Sequence, residues 1–552
     1  MSRGSFVDPV SPSTEWRTTA GSLESPTRVR MLVVGISIAM SLLLYLDRFA
    51  ITPATNTILS ELRLSKGEFG ETVRAFFLAY ALMQIPSGWL TDVLGARWML
   101  ALFVLGWSLA IAGLGLADGV AAIWGMRLIL GVMQAGAYPA AAGLLKRWVP
   151  FSARGLANSS VAMGGRCGLL VSMSLTVPFM LLVGRLLGWE TDQWRAVFMM
   201  YGLLGIAWAA GFVWLYRDWP RKHPWVNAAE VQLIEGSFAT KPARLAVDKE
   251  SNGPATWCCG ALFVLAVAWV VVVGLVAGRC NVRFGPALLS LTGSDAFGSA
   301  IVSAIAGLVG MCGILLLVLA VNRILRRLDP AAGERLSLPL GPMLRSKEVL
   351  LMCGINFCVN IGWIFLATWL PQYLVDVHGE YVTRYLGNKD LIAGWMTAVT
   401  GIAAMSGGML GGRATDVFVH RFGRVWGRRL PGMCAGGLVA VMYLIVPQLP
   451  GLWLFIGAMI AIAFTIDFGL GATWASYQDI GGRHVASVLG CGNMCGNLGA
   501  AFFGGLIGYL ADEDRWNTVF FLSAAAMLLA SCGWMLFDAS QPVVADESGG
   551  SA

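Results

Sequence analysis

The chain has 552 residues, of which 57% are hydrophobic and only 13% charged, with a net charge of +7 and a mean hydropathy of +0.68. A soluble domain carries about 25% charged residues, and this much apolar surface cannot be hidden in the core of one chain of this size. Soluble enzymes, disordered chains and small disulfide scaffolds are excluded, which leaves an all-α polytopic membrane protein.

Apolar runs near the bilayer-crossing length of about 20 residues fall at 31–53, 70–91, 97–117, 120–145, 156–183, 195–216, 257–278, 299–322, 349–374, 391–412, 431–448, 452–476, 485–510 and 517–538. Fourteen spans put both ends on one side. With the N-terminus inside, inner segments hold 26 Lys and Arg, outer loops hold 9, and 4 fall within spans. That excess places both termini in the cytoplasm. A long polar stretch precedes the first apolar run, so the start reads as a tail and not as a signal peptide. The organisation is a cytoplasmic tail (1–30), a six-helix half (31–216), a linker (217–256), an inserted transmembrane hairpin (257–322), a second linker (323–348), a second six-helix half (349–538) and a tail (539–552).

The basic residues sit in loops without aromatic interleaving, so no nucleic-acid partner is expected. The eleven Cys are scattered; Cys491 and Cys495 lack a second pair at metal-ligand spacing and read as small apolar residues. No cofactor and no metal site is expected. The four His (His223, His378, His420, His484) fall in predicted loops, leaving proton chemistry inside the membrane to carboxylates.

Gly88, Asp92, Gly95 and Arg97 follow span two, and Gly412 and Asp416 follow span ten with Arg424, Arg428 and Arg429 behind them. Each set occupies the second turn of its half, so the halves look like copies, a transporter design with a site between them near the midplane. Glycine lets helix ends approach closely, and the Asp can sit at a helix N-terminus and pair with Arg. The cluster reads as a conformational latch, or more plainly as loop charge.

The pattern Gly88-x3-Asp92-x2-Gly95-x-Arg97 resembles the signature loop of the major facilitator superfamily. Tyr45-Leu46-Asp47-Arg48, Tyr80 with Gln84 to Trp89, Arg127-x3-Gly131 with Pro139, Trp148-Val149-Pro150 with Arg154-Gly155, Thr368 to Pro371 with Tyr373, and Gly492-Asn493 with Gly496 to Gly499 resemble its anion:cation symporter family. That family includes carriers of hexuronates, galactonate and tartrate, and vesicular glutamate and sialic acid carriers. Proton-coupled members carry a Glu seven residues after the span-four Arg; here the position is Gln134, which cannot titrate. The hairpin is absent from twelve-helix members. It is rich in Gly, Ala and Val, and is not expected to line the path.

A charge at the bilayer centre costs about 2.5–3.5 kcal/mol on insertion scales, so intramembrane charges are functional candidates by default. Arg48 lies three residues after Tyr45, and Arg127 seven before Gln134, so each pair shares a helix face. Two guanidinium forks on one cavity suit an organic anion, and the resemblance implies the same role; the alternative is a structural strut. Asp47, whose charged form burial disfavours, is the candidate for proton coupling, again as the resemblance implies; the alternative is a fixed counter-ion. Tyr80, Asn356, Asn360, Asn493 and Asn497, with Gln372, are candidate polar lining or interhelical hydrogen bonds. Arg74 is an outer attractor of anions or a surface-seeking side chain. Arg166 is a third cation or a packing pair, and Asp467 a second-half ion site or a structural acid. The expected protein is a monomeric carrier in a lipid bilayer. It imports a small organic anion, such as a sugar acid, by alternating access with a coupling cation, a proton. A uniporter or anion exchanger of the same fold, or a non-transporting nutrient sensor, are the alternatives. No nucleophile–base set or phosphate loop suggests an enzyme.

Overall fold

The computed structural model describes residues 25–150, 153–188, 192–235, 261, 264–273, 276, 295–328, 340–481, 485–541 and 543. Every regular element among them is helical. A first group comprises α1 (Val29–Phe49), α2 (Thr55–Leu62), α3 (Lys66–Leu94), α4 (Ala96–Leu114), α5 (Val120–Gln134), α6 (Ala137–Trp148), α7 (Arg154–Leu187) and α8 (Gln193–Leu215). Four elements then follow, α9 (Ala228–Glu235), α10 (Val264–Val273), α11 (Asp295–Leu328) and α12 (Leu340–Arg345). A second group comprises α13 (Lys347–Ile364), α14 (Leu370–Tyr385), α15 (Lys389–Ile445), α16 (Leu452–Gly481), α17 (Val485–Asp512) and α18 (Trp516–Leu536). The end at which α1 begins is called the N-face and the other the far face.

Ten stretches among the described residues are long and apolar enough to cross a membrane. One of the ten, 389–448, is two helices joined at Gly423, whose φ of 76° suits glycine. In addition, α3 is a 29-residue helix, about 43 Å long at 1.5 Å per residue; its charged start (Lys66, Glu68, Glu71, Arg74) dilutes its hydropathy. Of the expected span 257–278 the structure describes 261, 264–273 and 276, with Val264–Val273 helical. In α11 the apolar stretch is only Ile305–Ala320.

Two expected loops are helical. Gly88 and Asp92 lie in the last turns of α3, and the chain breaks only at Gly95 (φ 88°). Gly412 and Asp416 lie inside α15, whose helix continues to the turn at Gly423. His378 and His420 are likewise helical, in α14 and α15, and His484 lies outside the described residues. Few strong breakers punctuate these stretches, so polarity alone misplaced the boundaries.

Local sequence explains the ends. Ser65 and Glu68 form a reciprocal capping box at the start of α3. The Asn388 side chain accepts from Leu391 N at 3.0 Å and starts α15. A π-turn, Phe365–Trp369, precedes Pro371 and separates α13 from α14; proline brings no N–H and tolerates the broken ladder. Span four is broken between Gln134 and Ala137, dividing α5 from α6.

Within the groups, α1 packs on α7, α3 on α5, α4 on α8, α13 on α17 and α15 on α16 and α18. At the α15–α16 crossing a Cβ on Gly407 or Gly411 would lie 2.1 or 2.0 Å from the carbonyl oxygens of Phe464 and Phe468, the close backbone approach that small residues permit. Between the groups run two seams, α3 on α17 and α7 on α15. The helix α11 lies against α17 and α3, and the Trp269 indole of α10 donates to Gly310 O at 3.2 Å.

The segment after α8 returns to α1. Glu230 of α9, fully buried, accepts from Val29 N and Arg30 N at 3.0 Å each, from the Arg30 guanidinium at 3.0 Å, and from the Thr27 hydroxyl. A carboxylate thus closes the positive end of α1. Burial works against the charged form, but these donors prevail and hold the Glu230 carboxyl below the usual glutamate value. Its contribution to stability is therefore full above the unfolded-state value, about 4.3, and lost as pH falls through the lower folded value. Glu230→Gln is expected to cost about 1 kcal/mol at neutral pH, read as a lowered thermal midpoint, with the difference from the unaltered protein shrinking below about pH 4. An unchanged midpoint at neutral pH would contradict the cap.

Candidate functional site

The sequence-predicted cations of the first group meet. Arg48, at the end of α1, donates from Nε to Gln134 Oε1 at 3.0 Å. Gln134 in turn donates to Leu44 O at 3.0 Å, and Arg127 Nη1 donates to Arg48 O at 3.0 Å. The Arg48 guanidinium carbon lies 4.4 Å from the Tyr80 ring centroid, 5.0 Å from Tyr45 and 5.2 Å from Phe76; that of Arg127 lies 4.6 Å from Phe76. Aromatic faces offer both cations cation–π stabilisation. Arg48 Nη2 and Arg127 Nε are buried without a hydrogen-bond partner, and no carboxylate pairs with either guanidinium among the described residues. The cavity expected around the two forks is closed to solvent: Arg48 is 4% exposed and Arg127 2%, because α3 lays Phe76 against both and Tyr80 against Arg48. Five of the predicted binding residues (Arg48, Arg127, Tyr45, Tyr80, Gln134) therefore form one cluster.

Asp47 is turned away from it. Its carboxylate is fully buried beside Tyr201 of α8 and Trp107 of α4, whose indole N–H is its neighbouring donor, and no cation pairs with it among the described residues. The 100° between successive helical residues sends Arg48 to the aromatic cluster and Asp47 into the first group's interior.

The predicted asparagines form a second cluster on α13 and α17. Asn356 donates to Met352 O at 3.0 Å and to the Tyr477 hydroxyl. Asn360 donates to Asn356 O at 2.9 Å, and Asn497 to Asn493 O at 2.7 Å. Asn493 reaches across to Gln84 Oε1 of α3 at 2.9 Å. Much of their donor capacity is thus spent along and between helices, the bland option for such residues. Gln372 donates to Asp376 at 2.8 Å.

Arg166 and Asp467, which the sequence left without partners, pair with each other. Arg166 Nη2 of α7 lies 2.6 Å from Asp467 Oδ2 of α16, joining the two groups. Helical rise puts Asp467 about 22 Å from the far-face end of α16 and about 21 Å from its N-face end. The pair therefore sits at mid-depth. Arg74 is not a free attractor: it pairs with Glu71 at 2.5 Å, and Glu71 accepts from the Tyr509 hydroxyl of α17 at 2.9 Å.

That contact belongs to a closure of the far face. Asp512, the last residue of α17, accepts from Lys66 N at 2.8 Å and Gly67 N at 2.6 Å, so it caps α3 from the other group. Lys66 Nζ meets Asp376 at 2.7 Å, and Asn56 donates to Asp390 at 2.6 Å. A Cβ on Gly70 would lie 2.8 Å from Gly505 O, so the backbones touch here. Among the described residues the N-face ion pairs stay within each group. Arg97 donates to Val213 O at 2.6 Å and from its N–H to Asp218, and Arg147 pairs with Asp218 at 3.5 Å. In the second group Arg424 and Arg428 pair with Asp479 at 3.3 and 2.9 Å, and Arg429 donates to Phe537 O at 2.5 Å. Of the expected latch acids, Asp416 is exposed and the Asp92 side chain lies outside the described residues, while Asp218 and Asp479 are the acids paired with arginine there. Sequence reading missed Asp218, Asp479 and Asp512. Asp512 had a readable signal, an acid at the end of an apolar span; which helix it caps is a tertiary fact.

Two groups of long apolar helices meeting on polar side chains at mid-depth define a multi-pass membrane transporter, not an enzyme. The chain belongs to the major facilitator superfamily: the sequence profile described as Major Facilitator Superfamily matches residues 38–369 and 352–551. Within it the chain is anion:cation symporter-like. It is 23% identical over 513 residues to a D-galactonate transporter of Escherichia coli, covering 93% of this chain and 96% of that protein. It is 24% identical over 530 residues to the probable galactarate/D-glucarate transporter GarP of Escherichia coli, covering 93% and 96%. A probable sulfoacetate transporter SauU of Cupriavidus necator is 30% identical over 207 residues; that match spans 38% of this chain and less than half (46%) of the relative. The fold matches a bacterial homolog of the human lysosomal transporter Spinster (TM-score 0.59, 17% identity, 92% of this chain and 96% of that one) and a D-xylose-proton symporter (0.57, 13%, 92% and 98%).

Asp512→Asn weakens the far-face closure by removing a charge from the α3 cap. A cysteine introduced at Val73, fully buried beneath the closure, is expected to react with an impermeant maleimide about threefold faster or more when Asp512→Asn is added. Equal rates would contradict a closing role for Asp512.

Proposed function

We propose that the protein is a secondary active transporter that imports a small organic anion, a sugar acid or related carboxylate, by alternating access with proton symport. The observation that carries this reading is the Arg48–Arg127 cluster: two guanidiniums at depth, cradled by Tyr45, Tyr80 and Phe76, with no acidic partner among the described residues. Structural arginines in a membrane interior are ordinarily neutralised by a resident acid or fully satisfied by carbonyls. Here Arg48 Nη2 and Arg127 Nε are left over, in a geometry that a carboxylate from solution would complete. The names of the galactonate and galactarate/D-glucarate relatives support the same substrate class.

The Lys and Arg bias assigns the N-face to the cytoplasm. The far-face closure then makes this an inward-facing arrangement, and Tyr80 and Phe76 act as a cover over the bound anion. Arg97 with Asp218, and Arg424 and Arg428 with Asp479, act as intra-half ties on the cytoplasmic side that let each half rock as a body. Asp47 exchanges a proton inside the first half, where the Trp107 indole is its neighbour and no cation among the described residues competes for it. The chain is a monomer of two six-helix halves, and α10–α11 is the inserted hairpin, docked beside the α3–α17 seam and outside the substrate path.

A second reading, a uniporter or anion exchanger, is favoured by one observation: Gln134, which cannot titrate, is the residue bonded to Arg48. Purified protein in proteoliposomes separates the two. Symport predicts that an acid-outside gradient drives accumulation of labelled sugar acid. Arg48→Gln or Arg127→Gln should lower uptake efficiency about 30-fold or more, the scale of about 2–5 kcal/mol for truncating a buried charged contact. Uptake indifferent to the gradient would remove symport and leave the carrier; uptake indifferent to both substitutions would remove the site.

A further inference from the structure

The Arg166–Asp467 pair is the one ion pair described at mid-depth that joins the two halves. Its members are unequally placed: the Asp467 side chain is 6% exposed and that of Arg166 20%. The cation is thus the accessible partner and the carboxylate the hidden one. Arg166 also borders the anion cluster. The preceding residue, Gly165, lies so close to Tyr45 and Tyr138 that a Cβ there would sit 2.9 Å from the Tyr45 ring and 2.8 Å from the Tyr138 hydroxyl. The Arg48 guanidinium carbon lies 5.0 Å from the centroid of the same Tyr45 ring, and Tyr138 is held by a 2.8 Å hydrogen bond with Ser41. Three guanidiniums, Arg48, Arg127 and Arg166, are therefore grouped about one set of aromatic rings, and only Arg166 carries a resident counter-ion.

Resting on the carrier reading above, we infer that the substrate is a linear dicarboxylate whose second carboxylate replaces Asp467 on Arg166 while Asp467 takes up a proton. The exchange conserves charge: an Arg166–Asp467 pair plus a carboxylate and a proton becomes an Arg166–carboxylate pair plus a neutral Asp467. Displacement without the proton would strand an unpaired carboxylate in a low-dielectric interior, the costly outcome of breaking a buried pair. The proton and the second carboxylate therefore arrive together, which is coupling. This adds to Asp47 a second titrating acid, Asp467 on α16, where span four offers only Gln134. It also opens the tie between halves when substrate binds, as alternating access needs. Arg166 is the charged group that faces Asp467 from α7, with Tyr45 of α1 and Tyr138 of α6 behind it. The neighbouring α15 passes with its backbone at Gly408, and among the described residues α13, α15 and α17 set no further charge against Asp467.

The test uses the full chain in proteoliposomes, with labelled D-galactarate as the dianion and D-galactonate as the monoanion. In the unaltered protein, an acid-outside gradient should raise galactarate accumulation. In Asp467→Asn the ratio of gradient-driven to gradient-free galactarate uptake should fall to about one. Arg166→Gln should lower the galactarate-to-galactonate ratio of kcat/KM about tenfold or more. Arg166→Lys should recover part of it, since the charge remains but the fork is lost. The double variant Arg166→Gln/Asp467→Asn, which leaves no unpaired charge, serves as the folding control by thermal midpoint. Gradient-driven accumulation retained in Asp467→Asn, or an equal fall for both anions in Arg166→Gln, overturns the inference. Galactonate uptake that depends on Arg48, with no galactarate uptake, overturns the inference and leaves the carrier reading standing. Transport of neither anion overturns both.

Discussion

Positive charge held in a low-dielectric interior without a matching acid is the constraint on which the rest depends. A guanidinium cannot shed its proton, so it must be satisfied by geometry. Around Arg48 and Arg127 this is done with a glutamine oxygen, a backbone carbonyl and the faces of Phe76, Tyr45 and Tyr80. Each of these is weaker than a salt bridge. In the proposed carrier this arrangement is a half-filled site, stable enough to persist and incomplete enough to favour an incoming anion. Gln134 fits that logic: its side chain gives Arg48 an acceptor without giving it a counter-ion.

The two halves are held by contacts of different kinds. The α3–α17 seam is tight at the far face, where glycine backbones touch and Asp512 caps the start of α3. Such a cap depends on charge at a helix end and can be released without disturbing a packed core. The N-face ties, by contrast, lie inside each half, from Arg97 and Arg147 to Asp218 and from Arg428 to Asp479. Rigid halves with one closed mouth are what the proposed rocking cycle requires, and the Arg166–Asp467 contact joins the two groups at mid-depth.

Helix identity was legible in the sequence because long apolar runs have one solution in a bilayer. The cluster of Arg48 with Tyr45, and of Arg127 with Gln134, was legible because spacing of three and seven along a helix fixes a shared face. The partners of Arg166, Asp467 and Asp512 were not, because each pairs across more than a hundred residues and no periodicity encodes that. Boundaries failed where polar residues continue a helix, as at Asp92 and Asp416 in α3 and α15. The asparagines were correctly placed on shared faces, yet Asn360 and Asn497 bond their own helices, and only Asn493 and Asn356 reach a neighbour. Spacing gives the face and leaves open what the face meets.

Equilibrium binding of a sugar acid to the purified protein, followed calorimetrically, is the most direct measure of the guanidinium cluster, since it needs neither flux nor gradient. The account predicts saturable binding that weakens about tenfold or more in Arg48→Gln while the thermal midpoint of the empty protein changes little. Equal affinity in the two proteins would mean that these cations are struts, and the anion site lies elsewhere.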